Sequence, residues 1–191
     1  MVMREGILPV MSKENPFAET ILEKGFSKQM LAKVFAGEVK WGEFRGIESD
    51  KTITTFLPPE GRGLNSRWAK YLGVAREELT GRHVTGRSEF LRQMNNDPYA
   101  VGLMNACCVY NPEDNKPVPG IMALPIDYND NGKIDSKEKF YEDLCRLERA
   151  AYLGVLPAEL CCEIYLVSEN KPADALQVEF IRWLLTDAQR L

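Results

Sequence analysis

Twelve consecutive residues, Asp127-Tyr128-Asn129-Asp130-Asn131-Gly132-Lys133-Ile134-Asp135-Ser136-Lys137-Glu138, carry oxygen donors at the spacing of a calcium loop. A hard dication takes about six to eight oxygens, and a loop of the EF-hand kind offers them from positions 1, 3, 5, 7, 9 and 12 with glycine at 6. Those places are held by Asp127, Asn129, Asn131, the Lys133 carbonyl, Asp135 and Glu138, with Gly132 at the turn and Ile134 at the apolar eighth place. The three carboxylates would repel at close range, and a divalent cation resolves that conflict. An Asx-rich turn ahead of a helix N-cap has a similar composition, but it requires neither the glutamate at the twelfth place nor the isoleucine at the eighth. A single loop points to a structural Ca²⁺ staple rather than to a paired sensor.

A second group, Gly61, Arg62, Gly63, Asn65, Ser66 and Arg67, follows Pro58-Pro59 and opens a helix expected over about residues 65–72. The first N–H groups of a helix lack intrahelical partners and the helix dipole favours an anion there, while arginines add charge-assisted donors. This is a candidate site for a small oxyanion. Equally, the glycines could serve only the geometry of the turn.

Catalytic constellations are missing from the sequence. His83 has no serine or cysteine nucleophile motif beside it and is expected to be a surface or satisfied histidine, and no carboxylates pair outside the calcium loop, so the chain does not read as an enzyme. Cys107-Cys108, Cys161-Cys162 and Cys145 follow neither a zinc nor a CxxC spacing and read as small buried hydrophobes. A disulfide between the two vicinal pairs would require neighbouring strands. With 24 basic against 28 acidic residues and no face-sized basic run, nucleic acid is excluded as a partner. No apolar run reaches the length of a membrane span, and the opening residues lack the order of a signal peptide.

Strands and helices alternate, which predicts an α/β fold. Strands are expected at 6–11, 52–57, 100–110, 121–126 and 164–167, with Pro9 pushing the first towards an edge or a crossover. Helices are expected at 17–24, from Ser27 to Gly37, at 65–72, at 88–94, and at 136–153 with Phe140, Tyr141, Leu144, Leu147 and Ala151 inward. A last helix starts at Pro172 with Leu176, Phe180, Ile181, Leu184 and Leu185 as its buried stripe. The polar loop 111–119 is the candidate hinge.

Taken in order, these landmarks resemble the type 2 periplasmic binding proteins, and within them the phosphate-binding proteins of bacterial ABC uptake systems. Asn15-Pro16, the helix ending Val34-Phe35-Ala36-Gly37 and then Trp41 resemble one segment of that family. The stretch Thr52 to Trp68 sits at its Arg-x-x-Ser-Gly-Thr phosphate loop. Asp97 to Gly102 is similar to its crossover, and Ser168 to Gln189, with Phe180 and Trp183, to its closing helix. The resemblance implies a non-enzymatic, two-lobed solute receptor of the periplasm or cell envelope that binds a small anion such as phosphate and serves an ABC-transporter permease. Residues 12–105 would form one lobe, while 1–11 and 106–191 would supply crossover strands and the returning part of the other. The family's Ser-Gly-Thr falls on Arg62-Gly63-Leu64, so its gripping hydroxyls are replaced. Its opening strand, loop and helix have no counterpart, so the chain is expected to pair with another copy or to follow an N-terminal segment. An interaction or scaffold module of the same fold is the alternative function.

Overall fold

The computed structural model describes residues 3–37, 39–61 and 63–190. In chain order the elements are β1 (Met3–Ser12), α1 (Ala18–Lys24), β2 (Phe26–Ser27), α2 (Lys28–Ala36), β3 (Thr54–Leu57), α3 (Gly63–Leu72), β4 (Arg82–His83) and α4 (Arg87–Asn96). They continue with β5 (Ala100–Asn105), α5 (Ala106–Val109), β6 (Ile121–Ala123), β7 (Ile126–Asp127), α6 (Leu144–Tyr152), β8 (Cys161–Ile164) and α7 (Ala175–Leu185).

Ile7, Leu8, Val10 and Met11 are all fully buried, the pattern of a strand covered on both faces. Accordingly β1 lies inside the sheet, whose order is β4-β3-β5-β1-β6, with β8 also pairing to β1. β3 runs parallel to β4 and β5, whereas β1 is antiparallel to β5, β6 and β8. Pro9 is therefore central and not at an edge. It is tolerated because its carbonyl accepts from Leu124 N at 2.9 Å one residue past the end of β6, where its missing N–H ends the ladder. On β5, Gly102 admits the ring of Phe90 from α4 so closely that a Cβ would collide with it.

Helices cover this sheet through aromatic anchors. Ser27 caps α2, its hydroxyl accepting from Met30 N at 3.2 Å, and Leu31, Val34 and Phe35 are buried as their spacing requires. Trp68 of α3 meets Phe35 edge-on at 5.3 Å between ring centroids. Trp41, also fully buried, donates its indole N–H to the Tyr99 carbonyl at 3.1 Å.

Several sequence expectations are corrected. The helix expected over 136–153 is shortened to α6, because Asp143 caps Arg146 N at 2.8 Å and the Tyr141 carbonyl is taken by the Tyr110 hydroxyl at 2.7 Å. Phe140 and Tyr141 are buried as expected, but from an irregular segment. The strand expected to Tyr110 stops at Asn105, and α5 follows, with the Glu5 carboxylate accepting from Asn105 Nδ2 and, at 3.3 Å, from Cys107 N. The strand expected at 164–167 lies earlier, at Cys161–Ile164, where it pairs with β1. In α7, which Asp174 caps, no residue is buried, so the expected buried stripe is not formed. Of the cysteines only Cys161 is buried, and all five are free thiols. The candidate hinge is a closed turn, with Asn111 N on the Lys116 carbonyl and Asn115 N on the Asn111 carbonyl, both at 2.8 Å.

Candidate functional site

The calcium-like loop is closed by its own carboxylates. Asp127 Oδ2 accepts from Gly132 N at 2.7 Å, and its Oδ1 from Asn131 N at 3.3 Å. From the far end, Glu138 Oε1 accepts from Tyr128 N at 2.8 Å and Oε2 from Asp135 N at 3.0 Å. These bonds draw the first and last places of the loop together and account for the burial of both acids, which are 3 % and 5 % exposed. Gly132 takes φ +81°, the left-handed turn that its place requires. Asn129 Oδ1 and Asn131 Oδ1 accept from the second N–H beyond each, at 3.1 Å.

Asp135 is held differently. Its Oδ2 accepts from the amides of Asn129 at 3.1 Å and Asn131 at 2.8 Å, which hold its carboxyl below the usual aspartate range. Lys133 Nζ lies 3.4 Å from its Oδ1. Among the described residues, no three His, Cys, Asp or Glu side chains gather closely enough to hold a metal by themselves. A cation here would depend on the amide oxygens of Asn129 and Asn131 and the Lys133 carbonyl together with the acids. Such an all-oxygen donor set suits Ca²⁺. The expected start of a helix at Ser136 fails, so Glu138 sits in a turn and its carboxylate is fixed by N–H donors.

What anchors the loop is the α1–β2 corner. Ile134 N donates to the Glu23 carbonyl at 2.7 Å, and β7 pairs in parallel with β2 through Phe26↔Ile126 and Ser27↔Asp127. Ile134 and Glu138 also border a cavity of about 410 Å³ with Leu22, Pro117 and Met122. Behind the loop the hydroxyls of Tyr128 and Tyr141 lie 2.5 Å apart, and burial pushes both phenols well above their ordinary pKa. Apart from the aromatic character of Tyr128 and Tyr141, nothing in the sequence marks that pair.

At the start of α3 the anion candidates divide. Gly61 and Gly63 face open space, Ser66 is exposed, and Arg62 lies outside the described residues. Asn65 is 1 % exposed and its amide donates to the Pro58 and Pro59 carbonyls at 3.3 and 3.4 Å, so it fixes the loop from within. His83 also grips this loop, with Nδ1 donating to the Pro58 carbonyl at 2.6 Å, a satisfied histidine as expected. The cavity on that side, about 380 Å³, is lined by Glu60 and Glu77 together with Arg76 and His83, so its charges are mixed.

Arg67 is four residues beyond Gly63 and shares its helical face. Its guanidinium donates to the Cys161 carbonyl at 2.9 Å and borders a cavity of about 360 Å³ together with Arg4, which pairs with Glu163 at 2.9 Å. Sequence reasoning missed Arg4, because a residue near the start of β1 meets α3 only through β8.

No family model matches the sequence, and no curated protein matches it. Solved structures do match. A possible phosphate binding protein from Planctomyces limnophilus DSM 3776 aligns at TM-score 0.61 and 16 % identity over 84 % of this chain and 51 % of its own. An ABC-type phosphate transport receptor from Vibrio cholerae aligns at 0.60 and 15 % over 99 % and 66 %. PstS from Borrelia burgdorferi aligns at 0.54 and 15 % over 97 % and 65 %. The chain thus shares its α/β fold with these structures and spans half to two thirds of their length.

Proposed function

Starting from that fold, we propose that this chain is a solute-binding protein of the phosphate-receptor kind, taking a small oxyanion at the start of α3 and working with an ABC-transporter permease in the periplasm or cell envelope. The observation that carries the reading is Arg67. It lies on the face that Gly63 begins, beside a cavity that also contains Arg4. Backbone N–H groups at Gly63–Ser66 would meet the anion, the helix dipole would favour it, and guanidinium groups would supply charge-assisted bonds. With the Ser-Gly-Thr hydroxyls replaced, the arginines carry the selectivity for oxyanions.

In the same proposal the loop 127–138 is a structural Ca²⁺ site, held by Asp127, Asn129, Asn131, the Lys133 carbonyl, Asp135 and Glu138. Its role is to fix β7 against the α1–β2 corner. Loss of the Asn-to-Asp135 hydrogen bonds would accompany binding.

Titration calorimetry with phosphate, sulfate and arsenate tests the receptor reading. Saturable heat that is lost in both Arg62→Ala and Arg67→Ala is expected. Silence towards every oxyanion would overturn it and leave the interaction-module reading, which the exposed apolar surface near the C-terminus favours.

A further inference from the structure

The sequence holds the dipeptide Cys-Cys twice, and the fold treats the two copies differently. Cys161 and Cys162 lie on β8, where successive side chains point to opposite faces of the sheet, and Cys161 is buried. Cys107 and Cys108 lie on α5, and their sulfurs face each other at 3.9 Å. Cys107 is exposed, Cys108 is half-buried, and both are free thiols. The backbone beneath them is fixed on either side. Cys107 N donates to Glu5 Oε1 at 3.3 Å, Tyr110 N to the Ala106 carbonyl at 2.9 Å, and Val118 N to the Val109 carbonyl at 2.8 Å.

We infer that Cys107 and Cys108 form a chelating dithiol site for trivalent arsenic, taken up as arsenous acid. Two sulfurs already in contact on a fixed backbone can close on one soft centre without rearranging the fold, and the second bond forms at the high effective concentration of a neighbouring group. Coordination number selects the centre. Among the described residues no group of three His, Cys, Asp or Glu side chains could hold a metal ion, so Zn²⁺, which takes four ligands, would find only half its shell at this pair. Trivalent arsenic takes three ligands and brings the last one with it. Arsenous acid exchanges two of its hydroxides for the two sulfurs: two As–O and two S–H bonds break, two As–S bonds form, and each thiol hydrogen leaves with a hydroxide as water. Arsenic stays trivalent throughout, so the step needs no oxidant or reductant, and the third hydroxide remains on arsenic. Because arsenous acid is uncharged at neutral pH, the site calls on no arginine and the inference is independent of the oxyanion reading.

Intact mass spectrometry of the native full chain, after incubation with arsenous acid and removal of the excess, tests it alongside iodoacetamide alkylation of the thiols left free. One arsenic per chain is expected, retained against glutathione and released by dithiothreitol, with Cys107 and Cys108 protected from alkylation while the exposed Cys145 is modified. Cys107→Ser and Cys108→Ser should each weaken retention by about a hundredfold, the loss of chelation, with native circular dichroism kept. Cys162→Ser and Arg67→Ala should retain arsenic as the parent does. A parent chain that holds no arsenic would overturn the inference. So would retention that survives Cys107→Ser, or that is lost in Cys162→Ser, since the ligands would then lie elsewhere.

Discussion

Gly25→Ala is the sharpest probe of how the loop is held. Gly25 ends α1 with φ +66° and ψ 172°, a region of backbone space that only glycine occupies readily. An added Cβ would fall on the Ile134 side chain and approach Asp127 N to 3.0 Å, so the substitution strikes the calcium-like loop at its eighth and first places together. Backbone strain of this type costs about 1–3 kcal/mol. Overpacking costs about 1–3 kcal/mol more. With a shift of about 2–4 °C per kcal/mol for a chain of this size, a melting point about 5–20 °C lower is expected. Calorimetric melting of Gly25→Ala, Ile134→Ala and the double variant separates the two terms. Shortening Ile134 relieves the collision but leaves the strain, so the double variant should be more stable than additivity predicts by about 1–2 kcal/mol. If Gly25→Ala melts within about 0.5 kcal/mol of the parent, or if the single effects simply add, then the loop does not bear on this corner as described.

Saturating Ca²⁺ at about a hundredfold over Kd should stabilise the fold by about 2.7 kcal/mol, seen as a rise of about 5–10 °C in Tm, and Glu138→Gln should abolish the rise. An unchanged Tm in the parent chain would contradict the metal assignment. Burial raises the pKa of Tyr128 and Tyr141 above the ordinary 10.0, so the stability held by the neutral pair is complete below 10.0 and is lost as pH climbs through the raised values. Their tyrosinate absorbance should therefore appear together with alkaline unfolding, and titration of every tyrosine near 10.0 with native dichroism intact would refute the buried pair. Asn65→Ala should cost about 1–2 kcal/mol in urea unfolding, because its amide holds two prolyl carbonyls, while leaving anion affinity within about threefold. An affinity loss without a stability loss would place Asn65 at the ligand instead.

How much of this was legible in the sequence differs element by element. The Ser27 cap, the buried triad Leu31, Val34 and Phe35, and the placing of β3 ahead of α3 follow from local signals, and the structure has them. Where long-range partners decide, local reading failed. Pro9 reads as an edge residue, yet it ends a ladder inside the sheet because β6 stops opposite it. The pattern of Phe140, Tyr141, Leu144 and Leu147 reads as helix, but the Tyr110 hydroxyl takes a carbonyl that the helix would need. α7 has the stripe of a buried helix without the burial, since periodicity reports an apolar face and not what covers it. Near the candidate anion site, Arg67 was visible as a charge-assisted donor just past the glycine loop, whereas Arg4 borders its cavity only through the β1–β8 pairing. The inward turn of Asn65 depended on two carbonyls that no motif announces.

The backbone amide spectrum of the isotopically labelled chain during titration with phosphate tests the central claim most directly. The account predicts saturable shifts concentrated at Gly63, Leu64, Asn65 and Ser66, together with the side-chain N–H signals of Arg67. Shifts that scatter over the surface without saturating, or that gather at the 127–138 loop and leave the start of α3 unmoved, would contradict it.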